Sequence, residues 1–222
     1  MGQELRLRFR QDLADIDTEV VRLFALVCER VAAATDSLLA DDTRAAREVT
    51  GSDIQVDRLE HDLEHAVERG LLMEQPMSGD MRYLVTVLRI VPQLERCGDL
   101  AEHVAQRTIA GLGTRLTPQI RGLLTDMGTR CVTMWQGAAE AWAAHDPDAA
   151  PGLDRIDDEL DELHEELTAE ILESRMDAAD IVQAALVGRF YERLGDHAVH
   201  IAQRIAYIAS PASTASVPPT HH

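Results

Sequence analysis

Aromatic residues make up only 4% of this 222-residue chain, and cysteine occurs three times. Cys28, Cys97 and Cys131 are odd in number and far apart, which excludes a disulfide framework and reads as reduced packing thiols of a cytoplasmic protein. No apolar run is long enough to cross a bilayer. The first eleven residues lack the apolar core of a signal peptide, and Arg6 breaks the myristoylation pattern. Positive charge is scarce: 21 Lys and Arg stand against 39 Asp and Glu, a formal net charge of -18 that would repel a phosphate backbone and so excludes nucleic acid as a partner. Also missing are a Gly-rich phosphate loop, a Cys-x-x-Cys pair, a His-Glu-x-x-His run and any legible nucleophile, base and acid arrangement. The Glu-x-x-His signature of di-iron enzymes is absent as well. Its nearest approximations are Asp62-x-x-His65 and Asp161-x-x-His164, which keep a di-iron or manganese oxidoreductase as the alternative function.

Leu, Val, Ala and Ile are plentiful, and Gly and Pro fall mostly in connections, so the chain reads as all-α. Apolar spacing and breakers predict six helical segments near 8–40, 42–72, 79–111, 116–145, 147–174 and 178–209. The Gly111 to Pro118 stretch is the midpoint break. It divides the chain into two tandem three-helix bundles, 1–112 and 113–209, followed by a Pro-, Ser- and Thr-rich tail, 210–222, expected to be disordered. Pro92, without an amide hydrogen, is expected to kink the third helix or leave a carbonyl unpaired there.

The halves repeat. Glu95-Arg96-Cys97-Gly98-Asp99 through Arg107 returns as Glu192-Arg193-Leu194-Gly195-Asp196 through Arg204, with nine of thirteen positions identical. On a helix, Glu-x-x-x-Asp puts both carboxylates on one face. The second helix of each half carries its own pair, Asp53 with Asp57 and Asp154 with Asp158. Singly these are ordinary solvated charges. In matching places they become a pattern: Asp53, Asp57, Glu95 and Asp99 in one half, Asp154, Asp158, Glu192 and Asp196 in the other. Four carboxylates at close range repel unless protonated or neutralised, and an oxygen-only set suits hard cations such as iron(III), manganese, magnesium or calcium. Glu60, Glu64, Asp161 and Glu165 extend the second-helix stripes as further ligands or as face charges. His103 and His200 lie one turn past the motif Asp as ligands or as hydrogen-bonded packing groups. Arg96 and Arg193 are expected to pair with carboxylates. Gly98, Ala101 and Ala105, repeated as Gly195, Ala198 and Ala202, form a stripe that admits a neighbouring helix closely.

Glu-Arg-x-Gly-Asp in duplicate, with Asp57-Arg58-Leu59-Glu60, the Gln75-Pro76 connection and Asp80-Met81-Arg82, resembles the PhoU family of phosphate-signalling regulators over essentially Phe9 to Ala209. The resemblance implies a cytoplasmic, usually dimeric, non-enzymatic regulator, peripheral to the membrane through its partners and not inserted in it. It also implies a multinuclear metal cluster on each bundle, iron foremost, with manganese, magnesium, zinc or calcium as the other ions. Its implied partners are the ATPase of the phosphate ABC transporter and a sensor histidine kinase.

Overall fold

The computed structural model describes residues 2–51, 53–73 and 76–209, except for the side chains of Gln3, Leu5, Asp53, Met73 and Ala209. The expected tail, 210–222, lies outside the described residues, as does Gln75 of the first connection. Among the described residues seven α-helices follow one another: α1 (Gly2–Ala40), α2 (Thr43–Thr50), α3 (Asp53–Met73), α4 (Ser78–Ile109), α5 (Pro118–Ala144), α6 (Ala150–Glu173) and α7 (Ala178–Ala209), with a 3-10 turn at Gly113–Arg115 between α4 and α5. The all-α expectation holds.

One segment needs correction. The helix expected over 42–72 is broken into α2 and α3. Thr50 and Gly51 explain the break: the Thr50 hydroxyl turns back onto the Arg47 carbonyl, and the Gly51 amide closes the last turn on Arg47 and Val49. At the start of α2, Asp42 accepts the Arg44 and Ala45 amides. α1 also begins earlier than its apolar spacing indicates, at Gly2. α4 is continuous through Pro92.

α1, α4, α5 and α7 form the inner layer, with α3 laid across α1 and α4 and α6 across α5 and α7. The first half thus contributes inner α1 and α4 with α2 and α3 packed on them, the second inner α5 and α7 with α6, and the buried side chains of both halves make a single hydrophobic core. Gly128 lets α5 approach α1, since a β-carbon there would lie 2.5 Å from Thr35 Cγ2. Several polar groups at this crossing are paired, although further along it the buried Trp142 indole N–H has no partner among the described residues. The Tyr191 hydroxyl is 3.2 Å from Thr35 Oγ1, the Cys28 thiol donates to the Trp135 carbonyl at 3.3 Å, and Trp135 Nε1 donates to the Leu194 carbonyl at 3.2 Å. All three cysteines are unpaired with one another, and burial pushes their thiols upward, Cys28 to about 11. That is the chemistry of packing groups.

The connection between halves is fastened. Gly111 takes a positive φ of 76°, the conformation for which a side chain would be strained. Arg121 donates to the Leu39 carbonyl at 2.7 Å, to Asp41 at 3.1 Å and to the Gly113 carbonyl. Arg115 reaches Asp180 on α7 at 2.7 Å and the Ala110 carbonyl at 3.1 Å. Thr117 caps α5, its hydroxyl accepting the Ile120 amide at 3.2 Å, with Pro118 in the first turn. Thr117→Ala should therefore lower stability by about 1 kcal/mol in urea unfolding, and an unchanged midpoint would mean that the tertiary clasp alone fixes this helix start. Among the described residues no helix is long and apolar enough to cross a membrane.

Candidate functional site

The two inner helices that carry the repeated motif, α4 and α7, each meet their flanking helix at the motif glycine. A β-carbon on Gly98 would lie 3.5 Å from Val56 of α3. The corresponding position on Gly195 would lie 2.4 Å from the Asp157 carboxylate and 2.6 Å from Leu160 of α6. This crossing sets the rotational register of each flanking helix: Val56 and Asp157 occupy the same place in the two halves. The glycine of the small-residue stripe admits the flanking helix closely in the second half, where a β-carbon would clash, and makes an ordinary contact with Val56 in the first.

In the second half the consequence is a crowded carboxylate face. Burial first, then Asp196, Asp161, Asp154 and Glu192, push the Asp157 carboxyl up to about 7. Asp161 is raised by burial and by Asp196. Asp196 and Glu192 are half-buried, while Asp154 and Asp158 are exposed. Asp154, Glu192 and Asp196 thus lie close enough to act electrostatically on Asp157, and Asp158 on Asp161. Asp157 is the member that sequence reasoning missed. Its clue was present: it stands four residues after Leu153 and three before Leu160, both buried, hence on the inward stripe.

The first half has the same plan with less acid. Burial, then Glu64, Asp57 and Asp99, raise Glu60, so Glu60 faces Asp99 as Asp161 faces Asp196. Asp57 is exposed, Glu95 and Asp99 are half-buried, and the side chain of Asp53 lies outside the described residues. Where the second half has Asp157, this half has the apolar Val56. It also has Arg30 of α1, buried, donating to the Gly98 carbonyl at 3.4 Å.

The neighbouring groups sort out differently from expectation. The guanidinium on Glu192 comes from Arg189, one turn earlier on α7, and not from Arg193. Arg193 acts electrostatically on Cys97 and His197. His103 stacks on Phe190 with ring centroids 5.3 Å apart, which makes it part of the contact between α4 and α7. His197 is depressed to about 4 by burial and by Arg193 and His200, so its ring stays neutral beside Asp196.

Two features therefore define this chain: a duplicated Glu-Arg-x-Gly-Asp helix and a flanking acidic helix crossed on its glycine. Comparison with known proteins matches the PhoU domain twice, at residues 20–108 and 124–205. The chain belongs to the PhoU family. That family is non-enzymatic, which sets aside the oxidoreductase alternative. Similar PhoU proteins include the phosphate-specific transport system accessory protein PhoU homolog 2 of Mycobacterium tuberculosis, 29% identical over 94% of this chain and 99% of that protein. PhoU homolog 1 of Thermotoga maritima is 27% identical over 91% of this chain and 89% of its own length. The crystal structure of PhoU from Pseudomonas aeruginosa superposes with a TM-score of 0.85 at 27% identity, covering 90% of this chain and 98% of that one. PhoU from Streptococcus pneumoniae, at 21% identity and a TM-score of 0.80, shares the fold.

In this PhoU chain the donor set on both faces is carboxylate oxygen, the chemistry of hard cations. Among the described residues no three His, Cys, Asp or Glu side chains converge as a preformed cage. By charge and donor type the faces would suit a hard cation.

Proposed function

We propose that this PhoU protein is an accessory regulator of phosphate transport. It couples the ATPase of a phosphate ABC transporter to a sensor histidine kinase and holds the starvation response off when phosphate is plentiful. The observation that carries the reading is the pair of carboxylate faces, one per PhoU repeat, on a chain whose relatives are named as accessory proteins of the phosphate-specific transport system. Asp53, Asp57, Glu95 and Asp99 would hold a cation cluster in the first half, and Asp154, Asp158, Glu192 and Asp196 in the second, with Asp157 and Asp161 added by the observed register. Iron is the first choice of ion, then manganese, magnesium, zinc or calcium. Such an ion would neutralise the face and offer open coordination positions to a partner's carboxylates. The uncompensated field would instead draw a basic surface. The protein would act as a homodimer at the cytoplasmic side of the membrane.

Deletion of the gene should leave phosphate-starvation genes expressed in phosphate-rich medium, and the intact chain should restore repression. A pull-down with the kinase cytoplasmic region separates the two routes of engagement. Salt weakens a contact driven by the field, whereas chelator weakens one bridged by metal. Normal repression in the deletion strain, together with no binding to kinase or ATPase, would sink the proposal.

A further inference from the structure

α3 carries a second chemical feature on another face. His61 and His65 are four residues apart, exposed, with Nε2 atoms separated by 3.1 Å and rings edge to face at a centroid distance of 4.3 Å. The stripe that α3 buries is Val56, Leu59, Leu63 and Val67. Both histidines project from the side opposite that stripe; His65 lies well around from Glu60, which faces Asp99, while His61 borders Glu60 and acts on it electrostatically.

Bonds from a borderline divalent ion to imidazole nitrogen are about 2.0–2.1 Å long. Two such bonds closing on nitrogens at the observed separation subtend roughly 95–100°, between the angles of octahedral and tetrahedral coordination. The imidazoles already stand at chelating distance. A second observation concerns the far side of one ring, where His65 Nδ1 lies 3.4 Å from the Glu68 carboxylate. A carboxylate there would favour the proton on Nδ1, leaving His65 Nε2 to accept the hydrogen bond that links it to His61 and offering a lone pair that a metal would take in its place. The pair is not a by-product of the repeat. In the register that places Asp157 on Val56, His61 and His65 fall on Glu162 and Glu166.

We propose that His61 and His65 form a chelating site for a borderline divalent transition ion of the zinc, nickel and copper(II) class, distinct from the carboxylate faces, with Glu68 as its positioning carboxylate and water completing the coordination. Imidazole donors select this class, while the carboxylate faces select hard ions, so the two kinds of site discriminate between metals.

The full chain, stripped with chelator, is titrated with zinc(II) by calorimetry and loaded with copper(II) for electron paramagnetic resonance. The parent protein should take up one more equivalent of zinc than H61A/H65A, and its copper spectrum should show nitrogen splitting that disappears in that variant. Glu68→Gln should weaken zinc binding by about tenfold or more through loss of orientation. Both histidines are exposed on a helix, so alanine keeps the fold, which circular dichroism verifies. D157N and D196N should leave zinc uptake at the histidine pair unchanged, so that failure here and failure of the carboxylate reading remain separate. Equal zinc stoichiometry and an unchanged copper spectrum in H61A/H65A would overturn the proposal.

Discussion

Replacing Trp135 with alanine should cost about 3–5 kcal/mol, the range for removing a large buried ring from a core that cannot collapse around the space. Trp135 is fully buried on α5 at the crossing of α1, α5 and α7. Its indole N–H is bonded to the Leu194 carbonyl, inside the second copy of the repeated motif. The substitution therefore removes packing from both halves and one buried hydrogen bond. It also leaves Trp142 as the sole tryptophan, a useful reporter because its ring lies 6.0 Å from Phe24 and 5.9 Å from Tyr83, both of the first half. Urea unfolding followed by Trp142 fluorescence and by helical circular dichroism should give one coincident, lowered transition. A loss below about 1 kcal/mol, or helix melting ahead of the fluorescence change, would show that the halves do not share the core as described.

Asp157→Asn should stabilise the chelator-treated protein by about 1–2 kcal/mol at pH 8 and leave it nearly unchanged at pH 4. The folded carboxyl is raised to about 7 from an ordinary 3.8. Below the lower value both states keep the proton and the site costs nothing. Between the two, the folded state retains a proton that the unfolded chain releases, so stability falls as pH rises, and above about 7 the cost is constant. Each unit of separation corresponds to about 1.4 kcal/mol. The cluster is partly open to solvent, and screening reduces the full conversion to the smaller figure given. Asparagine keeps the shape and discards the charge, so the difference between variant and parent should grow across that window. Urea unfolding at a series of pH values measures it, and a difference that is flat or largest in acid would contradict the account. Adding a hard cation should narrow the gap at pH 8, because the ion stabilises the charged parent by binding its folded form.

What could be read in the sequence was whatever recurs or punctuates. Glu95 with Asp99 and Glu192 with Asp196 announced themselves by identity, and Gly98 and Gly195 by their place in a small-residue stripe, because backbone approach needs small side chains wherever it occurs. Asp157 did not, because in the run Asp157-Asp158 the four-residue spacing from Asp154 selects Asp158. Which of two adjacent acids turns inward is decided by helix rotation, and that is set by Leu153 and Leu160 seating against α5 and α7. The break at Gly51 was similarly hidden, since Val49 and Val56 keep an apolar rhythm across it. His61 went unread and His65 was noticed only in Asp62-x-x-His65, because what links the two rings is an interatomic distance.

The segment from Gly111 to Pro118 has the composition of a flexible tether, yet Arg121 ties it to the end of α1 and Arg115 ties it to α7. A β-carbon on Gly113 would sit 1.6 Å from the Asp41 carboxylate, so even a methyl group is excluded there. The seam between the repeats is a weld. Tied in this way, the inner helices of the two repeats meet at a fixed seam and not across a hinge.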